Sequence, residues 1–163
     1  MAREVPWDDP DAMRLRRGMW EYYRPFFPED TARAEARFGG FDGVDAHVGR
    51  HIVATVVVDD DGVPAGVGSL RPVPRLGPTV GEIKKVFVDD AARGRGVGRR
   101  VVTELERIAV RLGWDRLVLE TNTGNDAAVA LYRSLGYEVS EALRAVGPVS
   151  MARSLPTGSR ASG

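Results

Sequence analysis

The spacing of apolar and polar positions along the chain changes period several times, and each change marks an element. From Pro10 onward Ala12, Leu15, Met19 and Tyr22 fall on one helical face, with Asp9 placed to cap the helix, Pro10 suited to its first position and Pro25 to end it. A second helical stretch, roughly Glu29 to Phe38, shows little apolar bias, and Gly39 to Gly49 is rich in Gly and Asp and reads as loop. Three runs rich in β-branched residues follow, His51 to Val58, Val63 to Val73 and Thr79 to Val88. A turn at Asp59-Asp60-Asp61-Gly62 joins the first two, and no helix interrupts the three, so they form an antiparallel meander. Helical period returns with Val97, Val101, Leu105, Ile108 and Leu112, widened by Val102 and Ala109 and stopped by Gly113. Arg116 to Thr121 is a short buried strand. Asn125 caps a helix through Ser134, with Ala128, Leu131 and Leu135 facing inward and Gly136 closing it. Tyr137 to Val139 and Val149 to Leu155 are two final strands, and Arg3 to Trp7 is a short first one.

The order is therefore β-α-α-β-β-β-α-β-α-β-β. It predicts a single α/β (α+β) domain over residues 1–155: a mixed, mainly antiparallel sheet of six to seven strands flanked by about four helices. The strand-helix-strand from Val80 to Thr121 demands a right-handed crossover and one parallel pair. Residues 156–163, PTGSRASG, read as a disordered tail.

Composition narrows the chemistry. Lys+Arg and Asp+Glu balance at 23 each, which gives no general attraction to nucleic acid or anionic lipid. Only Lys84 and Lys85 are lysines; every other basic side chain except the two histidines is Arg. The absence of Cys excludes disulfides, thiolate catalysis and Cys-ligated metal, and no metal is expected. The first residues, MAREVPWDDPD, have no apolar signal region, and the longest largely apolar run, Ile52 to Val58, is too short to span a bilayer. A cytoplasmic protein is expected.

Between the third strand of the meander and the strongest helix lies a loop with Gly94, Gly96 and Gly98 among Arg93, Arg95, Arg99 and Arg100. A Gly-rich loop opening a helix gathers free backbone N–H groups and the positive end of a helix dipole, which is a phosphate site. Counting separates the possible motifs. A Walker-A loop begun at Gly94 would need Gly at 99 and Lys at 100, and both are Arg; a dinucleotide fingerprint would also need Gly at 99. What is present is R-x-x-G-x-G, at Arg93, Gly96 and Gly98.

That hexapeptide resembles the pyrophosphate loop of the GNAT superfamily of acyl-CoA-dependent N-acyltransferases, [RQ]-x-x-G-x-[GA]. The superfamily's second motif, N-x-x-A-x-x-L-Y-x-x-x-G-[FY], is met by Asn125, Ala128, Leu131, Tyr132, Gly136 and Tyr137. The element order agrees as well, and the likeness is strong from about Val63 to Val139 and thin before Gly49. It implies an N-acetyltransferase that moves the acetyl group of acetyl-CoA directly to a primary amine, of a small molecule ahead of a protein amino group. In such a protein Val86, Phe87 and Val88 offer backbone to the pantetheine arm. Arg93, Gly94, Arg95, Gly96, Val97, Gly98 and Arg99 surround the pyrophosphate, and Asn125 and Tyr132 complete the cofactor site. Tyr132 is expected to hydrogen-bond the CoA sulfur and protonate the leaving thiolate, and a backbone N–H of the Lys85 to Val88 run to hold the oxyanion. Glu82, eleven residues before Arg93, is the expected general base. Its alternatives are a cross-strand ion pair with an Arg or an anchor for a cationic substrate, and Glu120 is a second candidate base.

Two other readings stay open: a GNAT-fold module that binds acyl-CoA without turnover, and a nucleotide-phosphate-binding protein of another fold. For the acceptor, Trp20, Tyr22, Tyr23, Phe26, Phe27 and Phe38 suggest an aromatic-walled pocket, though core packing explains them equally well. Glu29, Asp30 and Asp42 suggest attraction for a cation. Neither nucleic acid nor membrane is an expected partner, and exposed final strands leave a homodimer open.

Overall fold

The computed structural model describes residues 1–122, 124–143 and 149–157. Its elements are β1 Ala2–Val5, α1 Pro10–Tyr23, α2 Pro28–Phe38, α3 Phe41–Gly49, β2 Ala54–Asp60, β3 Val63–Pro72, β4 Val80–Val88, α4 Val97–Arg111, β5 Arg116–Thr121, α5 Asp126–Ser134, β6 Glu138–Val139 and β7 Val149–Ser154. The strands form one sheet in the order β1-β2-β3-β4-β5-β7-β6. Among the described residues only β4 and β5 run parallel, as the crossover through α4 requires. The expected tail lies, from residue 158 on, outside the described residues.

One segment departs from its sequence pattern. The stretch from Gly39 to Gly49 is not loop: Gly39 ends α2 at φ 80°, and Phe41–Gly49 is a helix. Its glycines are contact positions rather than breaks. A methyl group on Gly43 would lie 1.7 Å from the Phe38 carbonyl oxygen, and one on Gly49 would lie 2.4 Å from Trp7 Nε1. Tertiary contacts thus select a helix that local propensity disfavours.

The sheet is covered on both faces. On one side α4 lays Val97, Val101, Leu105 and Ile108 over Val56, Val58, Leu70 and Ile83. It sits directly on the backbone of β3, since a methyl group on Gly68 would lie 2.6 Å from Val101 Cγ1 and 2.9 Å from Leu105 Cδ1. On the other side Ala12 and Leu15 of α1 meet Val57, Val67 and Phe87. Asp9 caps α1, accepting from the N–H groups of Asp11 and Ala12.

The middle of the sheet opens. Pairing between β4 and β5 stops after Glu82↔Val118, although β4 continues to Val88. On its other edge β4 slips register against β3 between Val67 and Ser69, so that Gly68 faces both Lys85 and Val86. Lys85 takes φ 57°, an uncommon angle for a residue with a side chain. This bulge bends β4 away from β5 and leaves backbone groups beyond it unpaired on that side.

Candidate active site

A groove of about 470 Å³ runs along the freed edge of β4 to the start of α4, bounded on the far side by Asn125, Ala128 and Leu131 of α5. Gly96 caps α4 at φ 80° with no side-chain hydrogen bond to its first turn, so those N–H groups face the groove. Gly94, at φ 76°, makes the preceding turn. A side chain at Gly98 would press on Leu131 Cδ2 at 3.2 Å, so glycine keeps α4 and α5 close at the groove floor. The guanidinium of Arg93 lies 4.2 Å over the Tyr22 ring and donates through Nε to the Val88 carbonyl at 3.3 Å. Arg99 reaches Ser134 Oγ at 2.6 Å. These donors, with no side chain filling the turn, fit a diphosphate.

Most of the residues anticipated for the cofactor meet here: Val86, Phe87, Val88, Arg93, Gly94, Gly96, Val97, Gly98, Arg99 and Asn125 all line the groove. Arg95 does not. Its side chain turns to the acidic β2–β3 turn, pairing with Asp60 at 2.6 Å and Asp61 at 3.0 Å. Asn125 has two tasks: Oδ1 accepts from the Ala128 N–H at 3.3 Å, and Nδ2 donates to Tyr23 Oη at 3.4 Å, tying α5 to α1.

Tyr132 does not line the groove wall. It is the buried residue of α5, 7% exposed, set edge-on to Tyr137 at 5.7 Å, while Leu131 faces the groove. Burial above all, and Tyr23 second, push its pKa well up, so the phenol keeps its proton at neutral pH.

A second cavity, of about 330 Å³, opens on the other side of the bulge under α1, α2 and α3. Met19, Trp20, Tyr23, Phe27 and Phe41 give it apolar walls, and Arg16, Asp45, Lys85 and Asn122 give it polar ones. Of the aromatics read from the sequence, Trp20, Tyr23 and Phe27 line this cavity. Tyr22 borders the cofactor groove, Phe26 is 65% exposed, and Phe38 packs on His47 at 4.6 Å. The anticipated acidic attraction is spent locally, Asp30 on Arg33 at 2.7 Å and Asp42 on Arg17 at 2.8 Å.

On this face the sheet carries a row of charges across three strands. Glu82 is 1% exposed, and its Oε2 accepts from Arg71 Nε at 2.7 Å, across the β3–β4 register. Lys84 Nζ stands 3.8 Å from Glu82 Oε1 and 3.9 Å from Glu120 Oε1. Glu120 is more open. Partial burial raises its pKa, opposed by Lys84 and reinforced by Glu82. The cross-strand pairing of Glu82 is one of the alternatives its sequence position allowed.

Arg16, Asp45, Lys85 and Asn122 carried no motif. Lys85 had one signal, as one of two lysines in a chain otherwise rich in Arg.

Comparison with known proteins agrees with this geometry. Residues 12–137 match the acetyltransferase (GNAT) family. N-alpha-acetyltransferase RimI of Mycobacterium tuberculosis is 42% identical over 77 residues, 47% of each chain, and a mycothiol acetyltransferase of Mycobacterium sp. (strain JLS) is 43% identical over 68 residues, 39% of this chain and 23% of that one. The chain thus spans less than half the length of these relatives. Among solved structures, the PaiA N-acetyltransferase of Thermoplasma acidophilum in complex with coenzyme A superposes with a TM-score of 0.71 at 15% identity, covering 94% of this chain and 98% of the other, a likeness of fold. With more than half of its residues matched, the chain belongs to the GNAT acetyltransferase family.

Proposed function

We propose that the protein transfers the acetyl group of acetyl-CoA to a primary amine of a small molecule. The observation that carries this reading is that two separate cavities meet at the β4 bulge. Tyr23 lines both, and Lys85 and Val86, neighbours in the chain, face one each. A donor lying in the groove and an acceptor lying under α1–α3 would meet edge to edge there, which removes much of the entropic barrier to transfer. Walls drawn from three helices suit a small acceptor better than a polypeptide end.

Acetyl-CoA supplies an acyl group already activated as a thioester. The open first turn of α4, with Arg93 and Arg99, binds the diphosphate. Val86 to Val88 present main-chain groups to the pantetheine arm in the manner of an added strand. A backbone N–H in the Lys85 to Val88 run donates to the carbonyl oxygen as negative charge develops on it. An amine enters protonated and must lose a proton before it attacks. Glu82 and Glu120, bridged by Lys84, form the carboxylate pair that removes it. Glu120 is the more exposed member, and partial burial raises its pKa; Glu82, locked on Arg71, fixes Lys84 beside it. Tyr132 is buried behind the groove wall, but it interacts electrostatically with Tyr23, which lines both cavities, and from there it supplies the proton to the departing sulfur.

A module that holds acyl-CoA without turnover needs only the first cavity. The second cavity, and the carboxylates of Glu82 and Glu120 on the same face of the sheet, favour an enzyme. Calorimetry with acetyl-CoA, followed by free-thiol release over a panel of primary amines, separates the readings. Binding together with amine-dependent thiol release supports transfer. Binding with no release above hydrolysis for any amine supports the module.

A further inference from the structure

The inner end of the cavity under α1–α3 carries more positive charge than its own residues neutralise. Arg16 is 2% exposed. Its Nε donates to Asp45 Oδ1 at 2.7 Å, and its Nη2 to Asp45 Oδ2 at 2.9 Å and to the Trp7 carbonyl at 2.7 Å. The guanidinium carbon lies over the Trp7 ring, 3.5 Å from its centroid. Both oxygens of Asp45 are thereby committed, yet Arg16 Nη1 is buried with no hydrogen-bond partner. Lys85 faces the same cavity, and among the described residues no carboxylate lies within ion-pair distance of it. Burial first, then Lys84, with Arg16 adding and Asp45 opposing, lowers its pKa. The other charged groups at the rim already have partners, Arg24 on Glu35 and Asp30 on Arg33. Two cations thus share one carboxylate, and one donor points at nothing. Leaving such groups unmatched is costly, and a ligand oxygen would relieve the cost.

We propose that Arg16 Nη1 and Lys85 form a carboxylate subsite, so that the acceptor is a small amino acid whose apolar side chain packs on Met19, Trp20, Phe27 and Phe41. This rests on the acetyl-transfer reading for its chemistry and on the cavity alone for its binding. Lys85 belongs to the bulge itself, so a carboxylate bound there stands beside the main-chain donors of β4. In an α-amino acid the amine is one carbon from the carboxylate, which keeps it at the junction of the two cavities. The cavity, about 330 Å³, is of the order that encloses one such molecule.

The test is calorimetric titration, with CoA present, of L-leucine, L-methionine, L-phenylalanine and L-tryptophan, each beside its amide, and of 2-phenylethylamine. Wild type and Lys85→Met are compared, with thermal unfolding of the variant as a check on folding. At least one amino acid is expected to bind about tenfold or more tighter than its amide, a charge-assisted contact's worth, and Lys85→Met to erase that preference. If no acid outbinds its amide, or the preference survives intact in a folded Lys85→Met protein, the subsite is overturned. Thiol release measured on the same compounds keeps the two readings apart. Selective binding without release leaves the subsite and removes the transferase. Release from 2-phenylethylamine equal to that from L-phenylalanine, with no binding preference, leaves the transferase and removes the subsite.

Discussion

Glu82 and Glu120 stand on neighbouring strands of one sheet face and differ in what surrounds them. Arg71 holds Glu82 in a fixed, buried pair, whereas Glu120 is partly open and its pKa is raised by lost hydration. A base with a raised pKa is active only above it. The acid limb of the pH profile of kcat/KM is therefore expected at higher pH than an unperturbed glutamate would place it, with activity falling as pH drops through it. Glu120→Gln should flatten that limb and lower kcat/KM by about 10²–10⁴-fold. Lys85 gives a stability prediction of known sign. Its folded pKa is lowered, so at any pH where lysine is charged in the unfolded chain the folded state is penalised relative to it. That penalty disappears as pH rises through the folded pKa to the unfolded lysine value. Replacing Lys85 by Met should thus stabilise the protein at neutral pH, and this pH-dependent gain should vanish toward the ordinary lysine range, as read by denaturant unfolding across pH. Much at this scale was legible because it rests on local spacing: Arg93, Gly96 and Gly98 sit within one loop, and Asn125 opens the helix that bounds the same groove. Arg16 and Asp45 were not legible. They are 29 residues apart and meet only through the packing of α1 on α3.

Among the elements, α4 was the clearest in the sequence and is the most tightly constrained in the fold. Its apolar stripe has the strict helical period, and the strand beneath it supplies Gly66 and Gly68 in place of side chains. Gly68→Ala should force Val101 and Leu105 to shift, costing about 1–3 kcal/mol and lowering Tm by roughly 2–4 °C per kcal/mol for a domain of this size. Gly62, in the β2–β3 turn, has open space about its Cα but φ 78°, so substitution there tests backbone strain alone. The helix α3 shows where local reading fails. Its two glycines signal a loop, and the contacts that need those glycines, with Phe38 and Trp7, come from elsewhere in the chain. The burial of Tyr132 has the same origin: a helical wheel sets Ala128, Leu131 and Leu135 inward, but the groove opens on Leu131 and the ring of Tyr137 draws Tyr132 into the core.

For the molecule as a whole, the single parallel joint in a mainly antiparallel sheet creates the site. Because β4 and β5 pair over only three residues, the strands part and a groove forms on one side of the bulge with a cavity on the other. The element order forecast that joint; its early end after Glu82 depends on the slip beside Gly68, which no local pattern reports. No helix among the described residues is long and apolar enough to cross a membrane. If acetyl-CoA binds only the folded protein, Tm should rise with its concentration, by an amount equivalent to about 2.7 kcal/mol at a hundredfold excess over Kd. Acetyl transfer and the role of Tyr132 are tested most directly by amine-dependent release of free thiol from acetyl-CoA in wild type and Tyr132→Phe, with acetyl-CoA affinity measured on both. The prediction is turnover in the wild type that falls at least about tenfold in the variant while affinity changes little. Equal turnover in the two proteins, or a wild type that binds acetyl-CoA and acetylates no amine, would contradict it.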